Sequence, residues 1–267
     1  MREGGQFSWR AFGRGLAIQG QVILALLLRD MRARFGGLQL GYLWAVLDPL
    51  FWVVAFYLVF NFFGRHAPSG TDFGGFLAIG ILVYQAWRTP LMGALPVVLN
   101  GKALLYFARV QPLDIVLSRC LLEFATLVVV FGVIMTGVAF YYGEFDIDSP
   151  LNLVVGLLVA GLLGSSTGLL LASLSVHMES IPNIANIVLR PMFWISGVFF
   201  SAAELPRDLR ELALLNPVLH LIEFVRDAWF KGYDADYVDI RYPIAFAAVL
   251  LYFGLALERR ARRYVSY

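Results

Sequence analysis

Six apolar runs, each closed by charged residues, glycine or proline, divide the chain at roughly 43–63, 73–95, 115–141, 151–175, 184–203 and 243–257. A helix needs about twenty mostly apolar residues to cross a hydrocarbon core. The first five runs reach that length, and the last reaches it by extending into the interface. Ahead of them, residues 1–40 alternate instead: Phe7, Trp9, Phe12, Leu16, Ile18, Val22, Ile23, Leu26 and Leu27 interleave with Arg10, Arg14, Gln19 and Gln21. The apolar part, 17–28, is too short to span, so the pattern predicts an amphipathic helix lying in the membrane interface. Between the fifth and sixth runs lies a mixed segment, 204–242. Arg207–Leu215 and Pro217–Phe230 read as two short helices, separated by Asn216-Pro217 and stopped by Gly232. Neither can span. Non-spanning backbone at membrane depth survives where it packs on protein, so the pair is expected to enter and leave the outer leaflet as re-entrant helices.

Composition agrees with the runs. Of 267 residues, 60% are hydrophobic and 15% charged, and the mean hydropathy is +0.73. Soluble domains are nearer half apolar and a quarter charged. The expected class is therefore an all-α membrane protein, a single transmembrane domain over 1–267 with six transmembrane helices. The net charge of +2 is spread over separate flanks, which excludes a nucleic-acid partner. The single cysteine, Cys120, has no internal disulfide partner and reads as a small buried hydrophobe. Residues 1–21 lack a clean apolar core with a cleavage site, so no cleaved leader is expected. Basic residues concentrate in 1–34, at Lys102 and Arg109, and in the tail Arg259, Arg260, Arg262 and Arg263. By the positive-inside rule both termini lie in the cytoplasm. The turn 64–72 and the loop 144–150 then lie outside.

The polar residues inside the runs are the candidates for function. Asp48-Pro49 sits in the first run, just after the basic cluster Arg29, Arg32 and Arg34. A carboxylate in hydrocarbon is costly, and proline removes a backbone donor, so the pair is expected to face protein or water. Arg88 and Arg190 fall in the second and fifth runs; with Arg32 and Arg34 at the cytoplasmic mouth they suit an acidic polymer or a phosphate. Trp44, Trp52, Tyr57, Tyr84, Trp87, Phe193, Trp194, Phe199 and Phe200 present ring faces suited to sugars. Phe199 and Phe200, near the outer end of the fifth run, suit a gate that closes by dewetting. The competing account of Asp48 is a structural pair with an arginine, and that of the rings is ordinary lipid contact. The fourth run carries Gly161, Gly164, Ser165, Ser166 and Gly168, small residues suited to close helix contact. His220, Glu223 and Arg226 follow at a spacing of three, near one helix face, and are expected to form a local ion pair. They are too few for a metal site of the usual kind. No G-x-x-x-x-G-K-[ST], G-x-S-x-G, H-E-x-x-H or C-x-x-C motif occurs, so no catalytic residue, metal or cofactor is expected in this chain. A multi-span enzyme or assembly factor would need acidic or histidine residues clustered at one membrane face, and none is visible.

The order of these features resembles the membrane subunit of ABC-2 type exporters, and more closely the capsular polysaccharide export permeases of the KpsM type. The residues that carry the resemblance are the basic run leading into Leu40-Gly41-Tyr42-Leu43-Trp44 with Asp48-Pro49, then Val110-Gln111-Pro112-Leu113-Asp114 with Arg119 and Glu123. They continue with Arg190-Pro191, Ile195-Ser196, and Asn216-Pro217 followed by His220, Glu223, Arg226 and Gly232. The resemblance implies six spans and a homodimer that pairs with two separate ATPase subunits, which hold ATP and Mg²⁺. It also implies partners beyond the membrane, a periplasmic co-polymerase or adaptor and an outer-membrane exporter. It makes 97–114 the segment that couples to the ATPase, where Leu104, Leu105, Tyr106 and Phe107 lie beside Lys102 and Arg109. The expected function is export of a lipid-linked capsular polysaccharide across the bacterial inner membrane, through a path at the dimer seam. The same pattern also covers permeases for O-antigen, teichoic acid, or a small hydrophobic drug or lipid.

Overall fold

The computed structural model of the chain describes residues 9–35, 41–65, 67, 71–100, 111–143, 146–233 and 235–265. Among them the regular structure is helical: α1 Trp9–Phe35, α2 Gly41–Phe62, α3 Phe73–Asn100, α4 Pro112–Tyr142, α5 Pro150–Ser175, α6 Ile181–Ile195, α7 Arg207–Ala213, α8 Pro217–Trp229 and α9 Arg241–Val265. A single 3₁₀ turn, Ala202–Glu204, precedes α7.

Helix α3 is the hub. Every residue from Gly74 to Tyr84 is buried, and α2, α4, α5, α6 and α8 all pack on it. The closest approach is to α5. A Cβ at Gly164 would stand 2.1 Å from the Trp87 carbonyl oxygen, and one at Gly168 2.9 Å from the Leu91 Cα. The small residues of the fourth apolar run thus let two helix backbones touch, a form of contact that membrane helices use in place of a hydrophobic drive. Gly161 makes room in the same way for Phe124 of α4. Gly164→Val is therefore expected to force α3 and α5 apart. The check is thermal unfolding of the purified protein, which should show a loss of several degrees, whereas Gly132→Val, in open space, should change little.

Among the described residues, four helical stretches are long and apolar enough to cross a membrane: Leu43–Phe62, Pro112–Tyr142, Pro150–Ser175 and Arg241–Arg260. Two of the six expected spans are not among them. In α3, Gln85, Arg88, Thr89 and two prolines dilute the apolar run. A helix covered on all sides by protein does not need a lipid-compatible surface. The fifth run differs more. It was expected as one span over 184–203, but α6 has 15 residues, about 22 Å at the helical rise, short of a core about 30 Å thick. It stops at Ser196 and Gly197, whose φ of +81° reverses the chain.

The flanking elements are fixed by local chemistry. Asp114 accepts from the Gln111 N–H at 3.0 Å, which starts α4, and from Gln19 Nε2 at 2.9 Å, which ties α1 to that start. Asn216 accepts from the Val218 N–H at 3.0 Å with Pro217 at the first helical position, a strong start for α8. Unlike the exposed α7, α8 is buried on most of its surface against α3 and α5.

Candidate substrate path and the turn after α6

A cleft of about 430 Å³ lies between α2, α3 and α6. Tyr84, Gln85 and Arg88 reach it from α3, Trp52 and Phe56 from α2, and Arg190, Phe193 and Trp194 from α6. The Tyr84 hydroxyl donates to the Leu189 carbonyl at 2.7 Å and so pins α6 to α3. The rings form one connected cluster. Phe56 lies 5.7 Å from Trp52, 6.0 Å from Phe193 and 4.7 Å from Phe199, and Trp194 lies 4.8 Å from Phe199. Arg190 and Trp194 are exposed while Arg88 is half-buried. The cleft therefore offers two guanidinium groups beside ring faces, a combination that takes an anionic, ring-bearing ligand.

A second cavity, of about 320 Å³, lies on the other side of Gln85 between α2, α3 and α4, and Trp44, Asp48 and Glu123 reach it. A third, of about 500 Å³, is apolar; Tyr57 and Tyr142 line it.

The expected site residues thus separate. Trp52, Tyr84, Arg88, Arg190 and Trp194 meet in one cleft; Trp44 and Asp48 belong to the neighbouring cavity and Tyr57 to the third. Trp87 and Phe199 are buried in the core. Asp48 makes no ion pair among the described residues. Arg32 is exposed on α1. The Arg34 side chain and the coupling residues Lys102, Leu104, Leu105, Tyr106, Phe107 and Arg109 lie outside the described residues. Phe56, Gln85 and Arg65 were missed. Phe56 follows Trp52 by four and shares its helix face. Gln85 is a polar residue in an apolar run, three before Arg88. Arg65 read only as part of an outer turn.

Arg65 and Arg226 hold the turn that follows α6. Past the end of α6 at Ile195 the chain has left the helix, so its carbonyls need other partners. The carbonyls of Gly197, Val198 and Phe200 accept from Arg226 at 2.8, 2.9 and 3.2 Å, and that of Phe199 accepts from Arg65 at 2.5 Å. Four consecutive carbonyls are thus held by two guanidinium groups. Arg226 is 0% exposed. It also donates to the Phe76 carbonyl at 3.1 Å and stacks 3.4 Å from the Phe76 ring centroid. Gly80 leaves the necessary space, since a Cβ there would lie 2.7 Å from the guanidinium. The counter-charge is Glu223, 2.9 Å away and also buried. Glu223 in turn accepts from the Ser201 hydroxyl at 2.9 Å and from the Tyr233 hydroxyl at 3.1 Å. Burial pushes the Tyr233 hydroxyl well above its ordinary range, so it remains a donor.

His220 stands apart from this pair. Its Nε2–H donates to the Leu214 carbonyl at 2.8 Å, and its Nδ1 accepts from the Asp239 N–H at 3.0 Å, partners that require the neutral Nε2–H tautomer. Steps of three residues turn a helix about 60° short of a full circle, so His220 and Arg226 point about 120° apart. Burial lowers the His220 pKa below its ordinary value of 6.5. A lowered histidine contributes stability that is complete above the ordinary value and is lost as pH falls through the folded one. Protection against hydrogen exchange in α8, taken relative to the intrinsic amide rate at each pH, is expected to be lower at pH 5 than at pH 7.5, and His220→Gln should abolish that difference.

A family model for the ABC-2 type transporter matches residues 21–230. The chain belongs to this family. Among ABC-2 relatives it is 28% identical over 246 residues to the polysialic acid transport protein KpsM of Escherichia coli, covering 92% of this chain and 95% of that protein. It is 31% identical over 248 residues to the capsule polysaccharide export inner-membrane protein CtrC of Neisseria meningitidis serogroup B, covering 92% and 93%. With BexB of Haemophilus influenzae, a capsule polysaccharide export inner-membrane protein, it shares 26% over 251 residues, covering 93% and 94%. The spanning helices and the cleft beside α3 are thus parts of an ABC-2 transport subunit.

Proposed function

We propose that this chain is the permease subunit of an ABC exporter that moves a lipid-linked capsular polysaccharide across the bacterial inner membrane. A separate ATPase subunit binds ATP and Mg²⁺ and drives it. The observation that carries this reading is the nearly full-length likeness to capsule export proteins, joined to a cleft that places Arg88 and Arg190 beside aromatic faces. Two copies form the path. Trp52, Arg190 and Trp194 are exposed on a single protomer, and an arginine amid apolar residues is expensive against lipid, so this face turns toward a partner copy and an aqueous seam. The topology in this reading has six passes with both termini in the cytoplasm. The 204–232 helices are re-entrant from the outer face, and 97–114 docks on the ATPase. A periplasmic adaptor and an outer-membrane exporter continue the route.

Deletion of the gene in a capsulated host is the test. Surface polysaccharide should disappear, accumulate inside, and return on complementation. Normal capsule in the deletion strain overturns the reading. Since the chain carries no phosphate-binding loop, the permease freed of its ATPase should hydrolyse no nucleotide.

A further inference from the structure

The cavity between α2, α3 and α4 differs in chemistry from the cleft that shares Gln85 with it. Asp48 brings a carboxylate into the stretch Leu43–Phe62, which is apolar enough to span. Glu123 is buried, and its charge is balanced by Arg119 at 3.1 Å. Thr89 and Thr126 each spend their hydroxyl proton on a carbonyl of their own helix, at 2.9 and 2.8 Å, which leaves their oxygens as acceptors. Gln85 adds an amide, which both donates and accepts. Trp44, 66% exposed, supplies a ring face. The walls are therefore rich in acceptors, hold one unbalanced negative charge and include a large apolar ring. Such walls repel anions. They suit a ligand whose rim is made of hydroxyl donors and whose face is made of C–H groups. The volume, about 320 Å³, lies in the range of small-ligand sites.

We propose that this pocket is a subsite that binds a neutral sugar unit of the exported chain through its hydroxyls and turns away anionic units. The proposal rests on the glycan-export reading above. In it, Asp48 and Gln85 accept sugar hydroxyls, Thr89 and Thr126 complete the acceptor rim, and Trp44 packs on the ring face. Across Gln85, Arg88 and Arg190 take the anionic groups, so a chain lying over both cavities is sorted by charge.

The test uses the whole transporter with its ATPase subunit in lipid nanodiscs. Binding of a neutral maltotetraose and of an acidic tetragalacturonate is followed by saturation-transfer NMR. Asp48→Ala is expected to weaken maltotetraose binding about tenfold, the scale of one hydrogen bond to a charged group, while tetragalacturonate binds as well or better. Thr126→Val keeps side-chain shape and volume and should weaken maltotetraose severalfold, which guards against an Asp48 variant that misfolds. Arg88→Ala should do the reverse. Should maltotetraose ignore both Asp48→Ala and Thr126→Val while tetragalacturonate still depends on Arg88, the subsite is wrong and the export path stands. Should neither oligosaccharide bind the unaltered transporter, the path reading fails and the subsite with it. Spermidine binding that depends on Asp48 and displaces maltotetraose would make the pocket a cation site and overturn the proposal.

Discussion

Arg226→Met is expected to destabilise the purified protein more than any other single change on this fold. The guanidinium is fully buried and bound to Glu223 and to the carbonyls of Phe76, Gly197, Val198 and Phe200. Removing one partner of a buried ion pair costs about 3–5 kcal/mol, because the other charge stays buried without compensation. For a chain of this size that is a fall in melting temperature on the order of 10 °C. Arg226→Lys should recover little. A single ammonium offers three donors from one point and does not span carbonyls on both α3 and the 197–200 turn. The double change Arg226→Met with Glu223→Gln should cost less than the sum of the two, since each single change strands the other group. Glu223→Gln alone should loosen Ser201 and Tyr233 as well, because both donate to that carboxylate. Scanning calorimetry or fluorescence in detergent decides the matter. A melting temperature for Arg226→Met within about one degree of the unaltered protein would remove Arg226 from the account of the turn after α6.

The same arginine shows why parts of the fold were legible in the sequence and others were not. The start of α8 was legible because Asn216 and Pro217 set it locally, and its end because Gly232 takes a φ of +74°. The i, i+3 relation of Glu223 and Arg226 was legible for the same reason, since helical spacing alone brings the two together. The break after α6 was not. Ile195-Ser196-Gly197-Val198-Phe199-Phe200 reads as the outer part of an apolar span. The one local mark is Gly197, whose φ of +81° ends the helix, and it is hidden in the apolar run; the carbonyls beyond α6 are captured by Arg226, about thirty residues on, and Arg65, far upstream. That capture is non-local and leaves no periodic mark. The placement of the rings shows the same limit. Composition marked Trp87, Phe199 and Trp52 alike, but burial against α5 and against Phe56 removed the first two from the cleft and left the third. In the cleft, the arginines were the more telling signal, since a charge within an apolar run is costly wherever it has no polar surroundings.

Arg88→Ala and Arg190→Ala are expected to cut surface polysaccharide strongly, to a tenth or less together, while dimerisation and ATPase binding persist. Both side chains open into the same cleft, and the ring cluster behind them is held by Phe56, Phe193 and Phe199 without using either guanidinium. The position of α6 depends on the Tyr84 hydroxyl and the Leu189 carbonyl, which neither substitution touches. No ion pair among the described residues involves Arg88 or Arg190, so removing them breaks no buried salt bridge. What they supply is charge in the cleft, where under the proposed reading an acidic chain would meet low-dielectric walls and each guanidinium would count for more than in bulk water. Lysine at either position should restore part of the export, since it keeps the charge and loses the planar fork. Phe substituted for Tyr84 offers the contrasting case: it frees the Leu189 carbonyl and should disturb α6 itself, with loss of stability as well as export. The measurements are capsule at the cell surface, ATPase co-purification and cross-linking of the two permease copies. Normal capsule in the double Arg→Ala variant would show that the polymer does not pass the cleft. Lost capsule together with lost co-purification or cross-linking would make the two arginines structural, and the route would lie elsewhere in the dimer.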